Sequence, residues 1–296
     1  MTMRKSRLYR SRRSKGKYLD QWVVEQEVID SSFKLMITAR TKLFAILWFA
    51  GIAGVLSFLL IDLSAFLANL PATAGSELPF HPLIIKLLSV AQTAFLLTIA
   101  IFIGIQLAPR VGLSAPASEA LARDNSFVSA LKPQLLPGLI AGFIAGIAIL
   151  SIWILFRPIL PPLFVTRAEK LNSAMPLLTR LLYGGITEEL LLRWGLMTLL
   201  LWAAWRILQR GRGTPRAIYF VSAIVISSIV FGIGHLPLVS ALEVDFTLPV
   251  VAFIVLANSL FGLIAGYLYW QKGLEAAIIA HMSFHIVIVT AIHLAT

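Results

Sequence analysis

Residues 177–201 read LLTRLLYGGITEELLLRWGLMTLLL. An apolar run of this length is long enough to cross a bilayer as a helix, yet Glu188, Glu189 and Arg193 sit at its middle. Ionisable side chains at such depth cost several kcal/mol unless they are paired or face a cavity. The stretch therefore specifies two things together: a membrane helix and a polar site inside it.

Six further stretches have the same length and apolar character: Leu43–Phe66, Leu83–Leu107, Leu136–Leu160, Ala217–Gly234, Phe246–Trp270 and Leu274–Leu294. None alternates with period two, so closed strands are excluded and the fold class is all-α, a polytopic transmembrane bundle of about 7–8 helices. The composition agrees. Only 13% of the 296 residues are charged, against about 25% in soluble domains. With no cysteine in the chain, thiol catalysis, disulfides and thiolate-bound metal are excluded.

The net charge of +11 does not call for a nucleic-acid partner, because it is concentrated where topology is set. Arg4, Lys5, Arg7, Arg10, Arg12, Arg13, Lys15 and Lys17 precede the first span. Basic links fall on one side four times and on the other once, which puts the N-terminus in the cytoplasm next to anionic lipid. Seven spans then put the C-terminus outside. The expected organisation is a basic tail over 1–42 with an interfacial helix in Leu19–Met36, accessory helices over 43–176 and a catalytic core over 177–296. The short loops and basic tail suit a bacterial inner membrane, entered through a signal anchor rather than a cleaved leader. Gly138, Gly142 and Gly146 share one helix face, as do Gly262 and Gly266, which predicts close helix packing.

Lys86, Arg180 and Asp62 lie near span ends, where long side chains snorkel to headgroups. Glu189 and Arg193 are four apart and can pair. Glu188 then remains, turned about 100° away on the helix. A carboxylate left without a cation in an apolar setting is a candidate general base. His235 closes the fifth span four residues after Phe231, and His281 and His285 share one face of the last span. Asn258, in the sixth span, is a candidate polar contact or interhelical hydrogen bond. Simple hairpin counting sets His235 and His281 at different depths, so their meeting requires tilted or deeper helices, or a short extra segment between Leu236 and Phe246.

Glu188-Glu189-x-x-x-Arg193, Phe231-x-x-x-His235 and the His281 that follows Gly266-Tyr267-Leu268-Tyr269-Trp270-Gln271-Lys272-Gly273 resemble the three motifs of the CPBP family. That family holds type II CAAX prenyl endopeptidases and bacteriocin-immunity proteins. The resemblance implies an intramembrane endopeptidase acting on a membrane-associated or lipidated peptide. In it Glu188 and His235 activate water while His281 and His285 stabilise the oxyanion. Glu189, Arg193, Phe231 and Asn258 support them. The family usually carries Asn or Asp where this chain has His285. The resemblance favours chemistry without a cofactor. An alternative is Zn²⁺ held by His235, His281, His285 and Glu188. Two non-proteolytic alternatives are an immunity or scaffold protein of the same fold, and a proton-coupled transporter. The absence of an internal repeat argues against the transporter.

Overall fold

The computed structural model describes residues 36–61 and 82–295; the basic tail and Asp62 lie outside the described residues. The chain divides into two compact units, Met1–Lys42 and Leu43–Thr296. Of the first, residues 36–42 are described and are helical. The second holds everything discussed below.

The chain is a polytopic all-α protein, and among the described residues there is no strand. Seven helices are long and apolar enough to span a bilayer. They are α1 (Met36–Leu60), α2 (Pro82–Val111), α4 (Phe127–Phe156), α6 (Leu177–Leu208), α7 (Ala217–Gly234), α9 (Leu248–Lys272) and α10 (Leu274–Ala295). Three short helices connect them: α3 (Pro116–Ala122), α5 (Pro162–Ala174) and α8 (Pro237–Ala241). Proline opens α3, α5 and α8, where its missing N–H has no intrahelical partner to lose. The expected extra segment after His235 exists, and it is α8.

Two span starts fall well before those of the sequence reading, and the fourth span runs on to Leu208. The first span starts at Met36 rather than Leu43, because the Arg40–Lys42 step does not interrupt the helix. The third starts at Phe127, nine residues before Leu136, although Pro133 and Pro137 lie inside it. Ser126 caps it by accepting from the Ser129 N–H. Gln134, buried in that early stretch, accepts from the Ala276 N–H and so joins α4 to the start of α10.

α6 runs through the middle of the largest apolar cluster, where Leu190, Trp194, Met197 and Leu201 pack against Leu97, Ile101 and Ile105 of α2 and Phe261 and Ala265 of α9. A second cluster joins Phe164 and Ala168 of α5 to Val239, Leu242 and Val244 around α8 and to Val250 and Ile254 of α9. Arg167 of α5 donates to the Leu242 and Glu243 carbonyls and holds this second cluster together.

α9 and α10 meet at Gly273, whose φ of 107° only glycine adopts cheaply. The α4–α10 contact is equally demanding. A Cβ on Gly142 would stand 2.3 Å from the Ala280 carbonyl oxygen, and one on Gly146 would stand 2.6 Å from Val287. The expected glycine face thus packs against the helix that carries His281. Gly142→Leu should lower stability by about 1–3 kcal/mol through overpacking against backbone. Gly234→Ala, with nothing within 4 Å of its Cβ, should not. Thermal unfolding of the two variants in detergent checks the difference.

Arg180 departs from the sequence reading. It does not snorkel: it is buried and donates to the Asn172 and Met175 carbonyls and to Asn172 Oδ1. The link 161–176 folds into α5, and the carboxyl end of that helix supplies acceptors closer than any headgroup. Lys86 donates to the Ile61 carbonyl at the end of α1.

Candidate active site

The middle of α6 is not a regular α-helix. Arg180–Glu188 and Leu190–Met197 are π-helical, closing i→i+5 hydrogen bonds, a geometry rare in proteins and frequent at functional sites. Glu188 and Glu189 sit at the junction of the two segments.

Glu189 is fully buried, and its Oε1 accepts from Arg193 NH1 at 3.1 Å and from His281 Nδ1 at 2.7 Å. Arg193, 2% exposed, also donates NH2 to the Gly262 carbonyl at 3.2 Å. Its guanidinium lies over the rings of Phe231, at 5.0 Å, and Phe261, at 5.8 Å. The i,i+4 pair expected from the sequence is therefore present and enclosed by aromatic rings. The third member, His281 from α10, was not foreseen at Glu189.

Glu188 is outside that pair. Its side chain is 17% exposed and its Oε2 lies 3.9 Å from His281 Nε2. His281 thus stands between the two glutamates with one nitrogen toward each. Because Glu189 also accepts from Arg193, it serves as an acceptor, and the bond to His281 requires the proton on Nδ1. A neutral His281 then offers Nε2 to the Glu188 side as a lone pair, not as a donor.

His235 follows the same logic. Its Nδ1 lies 2.8 Å from the Phe231 carbonyl, which can only accept, so its Nε2 is the free lone pair. Its ring is edge-on to Phe231, with centroids 4.7 Å apart, and Phe231 is edge-on to His281 at 6.2 Å. Among the described residues no hydrogen bond joins His235 to Glu188; His235 and His281 both meet the Phe231 ring.

His285 stacks on His281, with ring centroids 4.9 Å apart and planes 16° apart. Its Nδ1 is buried without a partner. A Cβ on Gly184 would stand 2.4 Å from His285 Nε2, so only a glycine there admits this ring.

Asn258 does not make an interhelical bond. It donates to the Ile254 carbonyl of its own helix at 2.8 Å. The crossing bond comes from its neighbour Ser259, which donates to the Ser228 carbonyl of α7. The zinc alternative finds no ready site either: among the described residues no three His or carboxylate side chains form a metal-holding group.

α6 and α10 thus bring together two carboxylates, a guanidinium and stacked imidazoles, with rings of α7 and α9 enclosing the guanidinium. The family comparison covers the same part of the chain. Residues 170–287 match the model of the Rce1-like type II CAAX prenyl endopeptidases. That match supports a CPBP family protease. No curated protein and no solved structure matches the chain. The matched segment runs from α5 into α10 and includes Glu188, Glu189, Arg193, His235, His281 and His285. The match supports a CAAX-type protease in general.

Proposed function

We propose that this protein is an intramembrane endopeptidase that hydrolyses a peptide bond of a membrane-associated substrate with water activated by Glu188. The observation that carries the reading is the 3.9 Å gap between Glu188 Oε2 and His281 Nε2, two acceptors facing each other beside an ion pair that already neutralises Glu189. Two facing acceptors repel unless a donor lies between them, and a water donating one proton to each meets that need.

Glu188 takes one proton from this water, and the oxygen attacks the scissile carbonyl carbon. The tetrahedral oxyanion collapses with cleavage of the C–N bond, and Glu188 returns its proton to the leaving amine. His281, oriented by Glu189, accepts from the water and aims it. This differs from the oxyanion role that the resemblance implied, because a neutral His281 has no proton left on Nε2. His285 is the histidine of the cluster with an unengaged buried nitrogen, and it is the donor proposed for the oxyanion in place of the family's Asn or Asp. His235 Nε2 is a further acceptor beside Phe231.

The substrate class proposed is a lipidated peptide, since the matched family model is named for CAAX prenyl endopeptidases. We also propose a cytoplasmic N-terminal tail over 1–42 in a bacterial inner membrane, accessory spans over 43–176 and a catalytic core over 177–296. The test is reconstitution of the full chain in proteoliposomes with a panel of quenched peptides, including S-farnesyl CAAX sequences. Cleavage supports the protease. Failure across the panel favours the scaffold reading that the His285 departure motivates, and proton flux favours transport. No step above is routed through zinc. Cleavage should therefore survive exhaustive chelation, with residual metal measured by mass spectrometry, and loss of activity that returns with Zn²⁺ would contradict this.

A further inference from the structure

Many hydroxyls on these helices bond back to the carbonyl four residues earlier in their own helix, as Thr98, Ser151 and Ser283 do. Two threonines of α6 instead donate to a carbonyl of another helix. Thr187 Oγ1 donates to the Gly51 carbonyl at 2.8 Å, and Thr179 Oγ1 donates to the Ser57 carbonyl at 2.9 Å, both on α1. Thr187 is fully buried and immediately precedes Glu188.

The approach depends on α1 lacking side chains at the right places. A Cβ on Gly54 would stand 2.2 Å from Thr187 Oγ1 and 2.5 Å from the Leu182 carbonyl oxygen. The second contact is backbone against backbone and cannot be relieved by a rotamer. Small residues let membrane helices come this close and leave their carbonyls open as acceptors. The contact falls within the π-helical stretch Arg180–Glu188, where the helix is wide and its backbone pattern shifts just before Glu188.

We propose that Gly51, Gly54 and Thr187 form a brace by which the first span positions the Glu188 carboxylate, making α1 part of the active-site machinery. Thr187 is a positioning residue that touches no reacting atom. The proposal deepens the protease reading, but its principal test does not depend on cleavage.

The chain has no cysteine, so a single Glu188→Cys reports on position 188 through its rate of alkylation by a water-soluble maleimide. A Ser240→Cys chain, at an exposed residue of α8, is the control. Adding Thr187→Val should raise the alkylation rate at 188 by at least about fivefold, the equivalent of one net hydrogen bond. Gly54→Ala should do the same. Thr187→Ser, which keeps the hydroxyl, should return the rate to that of the parent, and the control should not move in any background. Unchanged rates at 188 in both Thr187→Val and Gly54→Ala would overturn the brace. A parallel rise at residue 240 would overturn it too, since the contact would then be general packing. On an S-farnesyl CAAX peptide that wild type cleaves, Thr187→Val should lower kcat and leave KM unchanged, with Thr187→Ser restoring kcat. Absence of cleavage by wild type would count against the protease reading and leave the alkylation result standing.

Discussion

Arg193→Met should destabilise the protein by about 3–5 kcal/mol, enough to prevent its accumulation in the membrane. Removing one partner of a buried pair leaves the other charge uncompensated, and that penalty exceeds the net worth of the pair. Glu189 is 0% exposed and would retain only the bond from His281 against an Oε2 that already has no partner. The variant also gives up the donation to the Gly262 carbonyl and the contacts with the Phe231 and Phe261 faces. Methionine fills much of the vacated volume, so the loss reports on charge more than on packing. The double variant Glu189→Gln, Arg193→Met removes both charges while keeping an acceptor for His281 Nδ1. It should recover most of the stability, since the two positions are in contact and their effects do not add. Thermal unfolding of both variants in detergent decides this. A double variant no more stable than Arg193→Met alone would show that the pair's charge is not what holds α6 in place.

Much of this architecture is legible in the sequence, and for specific reasons. Span count follows from apolar length, because lipid leaves the backbone no other solution. The Glu189–Arg193 pair follows from helical period alone, and the glycine faces of α4 and α9 from spacing. What is not legible is which partner lies across a helix boundary. His281 reaches Glu189 as well as Glu188, and nothing in the spacing of residues 92 apart announces it. The Thr187–Gly51 bond, 136 residues apart, leaves no periodic signature in either helix. Arg180 misleads because a residue near a span end has headgroups as the default partner. Here the preceding link folds into α5 and offers carbonyls first. The early start of α4 is likewise not visible in apolar length, since the polar Lys132 and Gln134 lie in its first turns, where Gln134 is bonded to α10.

The largest functional effect is expected at Glu188. General acid–base groups contribute about 10²–10⁴ in rate. Glu188→Gln keeps the size and hydrogen-bonding reach of the side chain while removing its capacity to take a proton. Glu188 is outside the Glu189–Arg193–His281 core and is 17% exposed, so the fold should tolerate the change and melt as wild type does. The most direct measurement is kcat/KM for wild type and Glu188→Gln side by side in proteoliposomes. The substrate is an S-farnesyl CAAX peptide, and products are identified by mass. The expected result is cleavage by wild type and a loss of at least about 10²-fold in the variant at unchanged stability. Equal cleavage by the two would contradict the assignment of Glu188 as the group that activates water.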